Sequence, residues 1–591
     1  MTPKTLNDIF FAIVERGQER VMLVRDESRW NPISTQEFYR NVAGMARALR
    51  RWGLNKGDRL AILSENRPEW TIADFASLLL GVAVVPIYST LTAPQTAYIL
   101  TDSGAKVVVV STQEQLEKVL SIKDQTAVER VVVMDAVSSA HAEPMQRLMH
   151  EGPSERDPEL ETRARAILPE DLASIIYTSG TTGTSKGVLL THGNLMSNVL
   201  NSLNGFDVGP KEISVSFLPL SHVTARHADF ALLYRGVTLA YCPFFEQLPQ
   251  TLLEVLPTIF IGVPRVYEKI HSRVEQKANR SAKRAIYRWA LSVGRVHSQE
   301  ILAGKRPKAL SWKLADKLVY SQVRARVGGK VGTFVSGGAP LGKELAWWYA
   351  SIGIRIHEGY GLTETSPVIA INTPRAHKIG TVGRPLANVE VRIAEDSEIL
   401  VRGPSVFCGY WNRPEETENA FVDGWFKTGD IGSLDEDGFL SVTDRKKDLL
   451  KTSGGKFIAP QPIENSIKLN ALIGTAVVLG DRRKFASVII SPDFPLLEEW
   501  ARTNEVAFSS RKDLVADPKV KALYESIVAE VNRGLARYET LKKILLVPDE
   551  FTANDGTLTP TFKLRRNAIE ERYRKQIDEL YRDAEEVASV A

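Results

Sequence analysis

The chain has 591 residues, 43% of them apolar and 25% charged, with 75 Lys/Arg against 71 Asp/Glu. That is the make-up of an ordinary globular protein with room for several cores, about four domain-sized units as a prior, and a net charge of +4 does not by itself mark a nucleic-acid partner. Two cysteines, Cys242 and Cys408, exclude a disulfide framework and a zinc cluster, and fit a reducing cytoplasm.

From the N-terminus, Leu6, Ile9, Phe10, Ile13 and Val14 share one helical face, and Asp8 interrupts any signal-peptide core, so this segment reads as a packed helix. Between residues 59 and 110, apolar runs at 60–63, 82–87 and 106–110 alternate with helix-like stretches. Buried parallel strands of an α/β fold give that texture. The most apolar run, 75–88, holds Ser77, Gly81 and Pro86 and is shorter than the ~18 residues a membrane span needs. No internal repeat is visible.

The most telling stretch is YTSGTTGTSKGVLLTH, residues 177–192. Glycines Gly180 and Gly183 let the backbone approach an anion, the hydroxyls of Thr178, Ser179, Thr181 and Thr182 donate to its oxygens, and Lys186 adds a compact positive charge. The expected ligand is a nucleoside triphosphate. The Walker pattern fails, because counting from Gly180 puts Ser185 at its second glycine and Gly187 at its Ser/Thr. A hydrolase elbow matches literally at Gly183, Ser185 and Gly187, yet it needs a helix straight after, and Val188, Leu189 and Leu190 read as extended. A plain polar hairpin would not need so many glycines and hydroxyls. At these residues the chain resembles the AMP-forming, adenylate-forming ligases, whose first core motif reads [YF]TSGTTGxPKG. Here Ser185 replaces the usual proline, which loosens the loop and removes no phosphate donor.

The resemblance runs from about residue 30 to Arg566. Pro219 to His222 and residues 263–270 look like the long-chain fatty acyl-CoA synthetases, and His222 sits where relatives place a residue beside the acyl carboxylate. Gly337, Gly338, Ala339 and Pro340 form a glycine turn after a strand, which in relatives lies along the adenine. HEGYGLTET, residues 357–365, holds Glu358, Gly359, Tyr360, Gly361, Thr363 and Glu364. The resemblance implies that Tyr360 stacks on the base, Thr363 hydrogen-bonds the α-phosphate and Glu364 holds Mg²⁺, a hard ion suited to oxygen. In DGWFKTGD, residues 423–430, Asp430 is the implied acceptor for ribose hydroxyls. Arg445 is a second nucleotide contact, Lys447 a hinge, and Gly454 and Gly455 a loop that approaches CoA. Lys563 stands in the C-terminal lysine motif, where Phe562 replaces the usual glycine, as in the long-chain branch. Taken alone, Glu364, Asp430 and Arg445 would be surface or turn residues; their order and spacing give them weight.

The expectation is therefore a large N-terminal α/β adenylation domain over residues 1–446, with a β-rich subdomain from about 380 to 446, and a smaller mobile C-terminal α+β domain over 447–591 with strands near 475–478 and 485–490. The implied activity is that of a long-chain fatty acid–CoA ligase using ATP, Mg²⁺ and CoA. The alternatives are a ligase that hands its acyl-AMP to a carrier protein and a catalytically silent lipid-binding scaffold.

Between 265 and 330 stand 17 Lys/Arg and four acidic residues. Ala285, Trp289, Leu291 and Val296 have helical spacing, so this segment reads first as a solvated helical hairpin and second as a face for an anionic membrane or a phosphorylated cosubstrate. Nucleic acid is set aside. The chain is thus expected in the cytoplasm, peripheral on a membrane at most, and a homodimer stays open. A closing amphipathic helix places Ile569, Tyr573, Ile577, Leu580 and Tyr581 on one packing face.

Overall fold

The computed structural model describes residues 3–26, 29–178, 185–279, 284–453, 456–552, 555–559 and 564–590, the last eight by backbone alone. Among the described residues the strands form an eight-stranded and a nine-stranded sheet, a five-stranded β subdomain, and a separate three-stranded sheet near the C-terminus. In the eight-stranded sheet Arg59–Leu63, Ala83–Ile87, Val107–Val110 and Arg130–Val133 run parallel. Side chains alternate between faces along a strand. Val107 and Val109 accordingly enter one core, and Val108 and Val110 another. A sheet buried on both sides explains the unbroken valine runs.

One core joins the two large sheets through the helices Thr35–Arg51, Pro68–Leu78 and Val223–Tyr234. Inside it Arg226 clasps Asp74, with Nε to Oδ2 at 2.8 Å and Nη2 to Oδ1 at 2.5 Å. Its Nη1 donates to Ser174 Oγ at 2.7 Å. The N-terminal helix is Asn7–Arg16, with Leu6, Ile9, Phe10 and Ile13 buried as the spacing predicts, and Phe11 as well.

The β subdomain pairs Glu390–Ile393, Glu398–Arg402, Trp425–Leu434, Phe421–Val422 and Leu440–Arg445. Beyond it, Ile473–Leu479, Ala486–Pro492 and Leu541–Leu546 form the small C-terminal sheet. Val478 and Val488 pack on helices Pro460–Lys468 and Pro518–Asn532, whereas Val477 and Ile489 pack on Ile569, Tyr573, Ile577 and Tyr581. The closing segment is two helices, Arg566–Arg572 and Arg574–Val590, because Tyr573 leaves helical geometry at φ −106°, ψ 15°. Its apolar face packs all the same.

The C-terminal unit touches the larger one at both ends of helix Pro460–Lys468. Asp444 Oδ2 accepts from the Gln461 amide at the start of helix Pro460–Lys468 at 3.1 Å, and Lys468 Nζ lies 3.4 Å from Glu268 Oε1. Beside this contact a cleft of about 1110 Å³ opens between Trp347 and Trp348 on one side and Leu472 and Trp500 on the other.

The basic stretch is helical over Pro264–Asn279, Arg284–Leu302, Leu310–Ala315 and Ser321–Ala325. The segment is helical as the spacing of Ala285, Trp289, Leu291 and Val296 predicts, and of these four Leu291 packs against the core. Tyr287, Ala290, Gly294, Ser298 and Ile301 are buried, while Ala285, Trp289 and Val296 are exposed. No helix among the described residues is long and apolar enough to cross a membrane.

Candidate active site

Strands Leu172–Thr178 and Lys186–Thr191 pair antiparallel up to Thr178 opposite Lys186, so the two strands that flank the glycine- and hydroxyl-rich motif form a hairpin. Ser179, Gly180, Thr181, Thr182 and Gly183 lie outside the described residues, as do Gly454, Gly455 and Lys563. The roots of the hairpin are clamped from helix Ala93–Ser103. Asp102 Oδ2 accepts from Tyr177 Oη at 2.5 Å, the Asp102 carbonyl accepts from Trp411 Nε1 at 2.8 Å, and Tyr98 Oη donates to the Ser185 carbonyl at 2.9 Å.

The two-residue strand Gly409–Tyr410 adds to the hairpin opposite Leu189 and Val188, and the Trp411 amide continues the ladder to the Gly187 carbonyl at 2.7 Å. That strand carries a tyrosine the sequence reading passed over. Tyr410 Oη donates to Glu364 Oε1 at 2.9 Å, and the Lys186 ammonium lies 5.4 Å from the centre of its ring. The Phe407 amide also donates to the Glu364 carbonyl at 2.8 Å. Lys186 Nζ rests 3.7 Å from Glu416 Oε1, on helix Pro414–Asn419. Residues from four distant stretches thus meet.

Tyr360 and Glu358 lie on strand Ile356–Gly361 of the nine-stranded sheet, and Thr363 and Glu364 on the tight turn Thr363–Thr365. Gly361 is obligatory there, since a Cβ would meet the Pro367 carbonyl oxygen at 1.8 Å. Tyr360 Oη donates to Asp430 Oδ2 at 2.6 Å, and Arg445 Nε approaches Asp430 Oδ1 at 3.2 Å. Asp430 and Arg445 face each other across two strands of the β subdomain. The site therefore sits where three sheets meet. The buried Asp430 carboxylate is thus paired with both a phenol and a guanidinium.

Gly337 to Pro340 follow strand Thr333–Ser336, with Gly338 at φ +82° and the Gly337 amide on the Gly262 carbonyl at 3.1 Å. Glu358 faces this turn: its Oε2 accepts from the Leu341 amide at 3.3 Å. Burial pushes its carboxyl from 4.5 up to about 7. The folded chain then holds that proton more tightly than the unfolded one, so Glu358 contributes stability that is present below pH 4.5 and lost as pH rises through about 7. Comparing melting temperatures of Glu358→Gln and the parent from pH 5 to 8 should show the difference moving in the variant's favour as pH rises. A constant difference would refute this.

His222 caps helix Val223–Tyr234, its Nδ1 accepting from the Thr224 amide at 3.1 Å, a role the motif gave no sign of. Lys447 stands two residues beyond the end of strand Leu440–Arg445. Among the described residues no group of three or more His, Cys, Asp or Glu could cage a metal. A single carboxylate at Glu364 suits an ion such as Mg²⁺, which completes its shell with water and substrate phosphates.

A cation-bearing hairpin, an acidic turn and a Tyr–Asp–Arg set built on the buried Asp430, at the junction of three sheets, define an adenylate-forming enzyme. The chain belongs to the AMP-binding enzyme family: that family's pattern matches residues 10–411, and the pattern of the AMP-binding enzyme C-terminal domain matches 447–585. It is 38% identical over 557 residues to the long-chain-fatty-acid–CoA ligase FadD15 of Mycobacterium tuberculosis, covering 93% of this chain and 92% of that one. It is 31% identical over 626 residues to the long-chain-fatty-acid–CoA ligase ACSBG2 of Xenopus laevis, covering 99% and 84%. Among solved structures, the anthranilate CoA ligase AuaEII with anthranoyl-AMP superposes with a TM-score of 0.73 at 20% identity, covering 96% and 97%. The A domain of carboxylic acid reductase from Segniliparus rugosus, in complex with AMP and a co-purified carboxylic acid, gives 0.75 at 21%, covering 99% and 95%.

Proposed function

We infer that the protein is an ATP-dependent long-chain fatty acid–CoA ligase. The observation that carries this is the meeting of Lys186, Glu364 with Tyr410, and Tyr360 with Asp430 and Arg445 in one place. Relatives that carry that name align over more than nine-tenths of the chain.

In the first step a carboxylate oxygen of the fatty acid attacks the α-phosphorus of ATP. The bond from that phosphorus to the bridging oxygen breaks, and pyrophosphate leaves with the electron pair. In the second, the sulfur of CoA attacks the acyl carbonyl, the bond to AMP breaks, and the thiol proton passes to solvent. Lys186, Thr363, Lys563 and the hydroxyls of the 178–183 loop offset the charge gathering on the phosphates in the first step. Tyr360 faces the base, the turn Gly337 to Pro340 borders it, and Asp430, steadied by Arg445, takes the ribose hydroxyls. His222 borders the acyl carboxylate. Mg²⁺ on Glu364 would neutralise phosphate charge. The small domain, 447–591, then turns about Lys447 against the larger 1–446 unit, withdraws Lys563 and brings Gly454 and Gly455 towards the thiol. We place the enzyme at the cytoplasmic face of an anionic membrane, with the basic helices towards the lipid.

Pyrophosphate release measured across fatty acids of graded length, with and without free CoA, tests the reading. Acyl-CoA should form from free CoA with the long acids. Accumulating acyl-AMP without thioester would favour a carrier-loading ligase, and fatty-acid binding without pyrophosphate would favour a silent scaffold.

Glu364→Gln keeps the shape and loses the charge. It should raise the Mg²⁺ needed for half-maximal adenylation roughly 10- to 100-fold, with part of the rate restored at high Mg²⁺. Mg²⁺ titration of pyrophosphate release, together with calorimetric Mg²⁺·ATP binding, measures this; an unchanged Mg²⁺ dependence would remove Glu364 from the metal site.

A further inference from the structure

Part of the basic region has an outer face that neither packing nor the site explains. Helix Leu310–Ala315 runs through the wider turn Asp316–Tyr320 into helix Ser321–Ala325. Its inner side, Trp312, Ala315, Tyr320 and Val323, is buried in the core. Its outer side carries Leu310, Leu314 and Leu318, which are 82%, 50% and 42% exposed. Residues four apart stack on one helical face, so these leucines form a row. Exposed Lys313 and Lys317 stand immediately before the second and third of them. From 301 to 330 there are eight Lys/Arg and one acidic residue, Asp316. Asp316 is taken up by Arg324 at 2.5 Å and Arg306 at 3.1 Å, so it does not offset the lysines beside the row.

An apolar row rimmed by cations marks an interaction surface, and its chemistry discriminates between occupants. A second copy docked by twofold symmetry would set this basic face against itself. An anionic bilayer satisfies both parts: leucines enter the boundary between headgroups and acyl chains, and lysine stems lie along it with their ammonium groups at the phosphates.

We propose that the row Leu310, Leu314 and Leu318 inserts into the surface of an anionic bilayer, with Lys313 and Lys317 pairing with lipid phosphates. This rests on the fatty-acid ligase reading for its purpose. It goes beyond electrostatic attraction, because it makes three uncharged side chains the anchor.

The test is sedimentation of the full chain with phosphatidylcholine vesicles, with and without phosphatidylserine. The parent should bind the mixed vesicles and retain part of that binding at high salt, where electrostatic attraction is screened. Leu310→Gln/Leu314→Gln/Leu318→Gln leaves the charge unchanged and should bind roughly tenfold more weakly or worse, with an unaltered melting temperature. Lys313→Gln/Lys317→Gln should lose the preference for phosphatidylserine. Both variants should make acyl-CoA normally from fatty acid supplied in free solution. Failed docking of the parent with intact acyl-CoA formation overturns the membrane face alone, whereas absent acyl-CoA formation overturns the ligase reading. Equal binding by the leucine variant overturns the proposal. So does a dimer in sedimentation velocity that the leucine variant abolishes, which would assign the row to a second copy.

Discussion

Lys563→Ala is expected to slow adenylation on the order of 100-fold or more, the cost of losing a donor aimed at charge that develops in a transition state, and to leave thioester formation nearly intact. The residue stands almost 380 positions from Lys186, and the proposed domain rotation gives it to the first half-reaction only. Pyrophosphate release from ATP and fatty acid reads the first half; acyl-CoA formation from premade acyl-AMP and CoA reads the second. Equal loss of both halves would make Lys563 structural, or the site one that does not reorganise.

Asp74→Ala is expected to destabilise the large domain by about 3–5 kcal/mol, because it strands a buried guanidinium without its counter-charge. Asp74 and Arg226 side chains are 1% and 3% exposed, and the same guanidinium holds Ser174, whose hydroxyl donates to the Val84 carbonyl at 2.7 Å. Removing the aspartate therefore disturbs the packing of helix Pro68–Leu78, helix Val223–Tyr234 and strand Leu172–Thr178 together. Urea unfolding followed by tryptophan fluorescence measures the loss. The pair Asp74→Ala/Arg226→Met should recover much of it, since replacing both charges by apolar groups costs far less than orphaning one. A loss below about 1 kcal/mol, the scale of an exposed pair, would mean that water reaches the site.

The same ion pair illustrates what a single sequence hides. Asp74 and Arg226 are 152 positions apart, and nothing in the spacing of either connects them. The pairing of Leu172–Thr178 with Lys186–Thr191 was legible because two apolar runs flank a short loop of glycines and hydroxyls, for which we propose a phosphate partner. Tyr360, Glu364, Asp430 and Arg445 were legible only as members of ordered motifs, while their hydrogen bonds, Tyr360 to Asp430 above all, were not. Tyr410 went unread because a two-residue strand has no periodicity to detect. The aromatic pair Tyr410–Trp411 after Gly409 was its one sign.

The basic stretch was legible as helix, but the face that helix Arg284–Leu302 turns inward was not, for a definite physical reason. Helix Arg284–Leu302 approaches its neighbour so closely that a Cβ on Gly294 would meet the Ser351 carbonyl oxygen at 2.0 Å. Small residues, Ala290, Gly294 and Ser298, therefore line the inside, and the bulky Ile286, Trp289 and Val296 are left outside. A hydrophobicity pattern assigns the larger side chains to the core, and here it points the helix the wrong way round.

The junction of three sheets has a thermodynamic consequence. Among the described residues no strand ladder joins the three sheets, so Lys186 and Tyr410, Tyr360, and Asp430 with Arg445 ride on bodies held together by shared apolar packing and by side-chain hydrogen bonds such as Tyr410 to Glu364 and Tyr360 to Asp430. A ligand that touches all three acts as a cross-link and converts separate local openings into one cooperative event. Protection from hydrogen exchange on ATP binding should accordingly rise at the seams, around 356–364, 407–411 and 428–445, and scarcely at all in the valine strands, which are already closed.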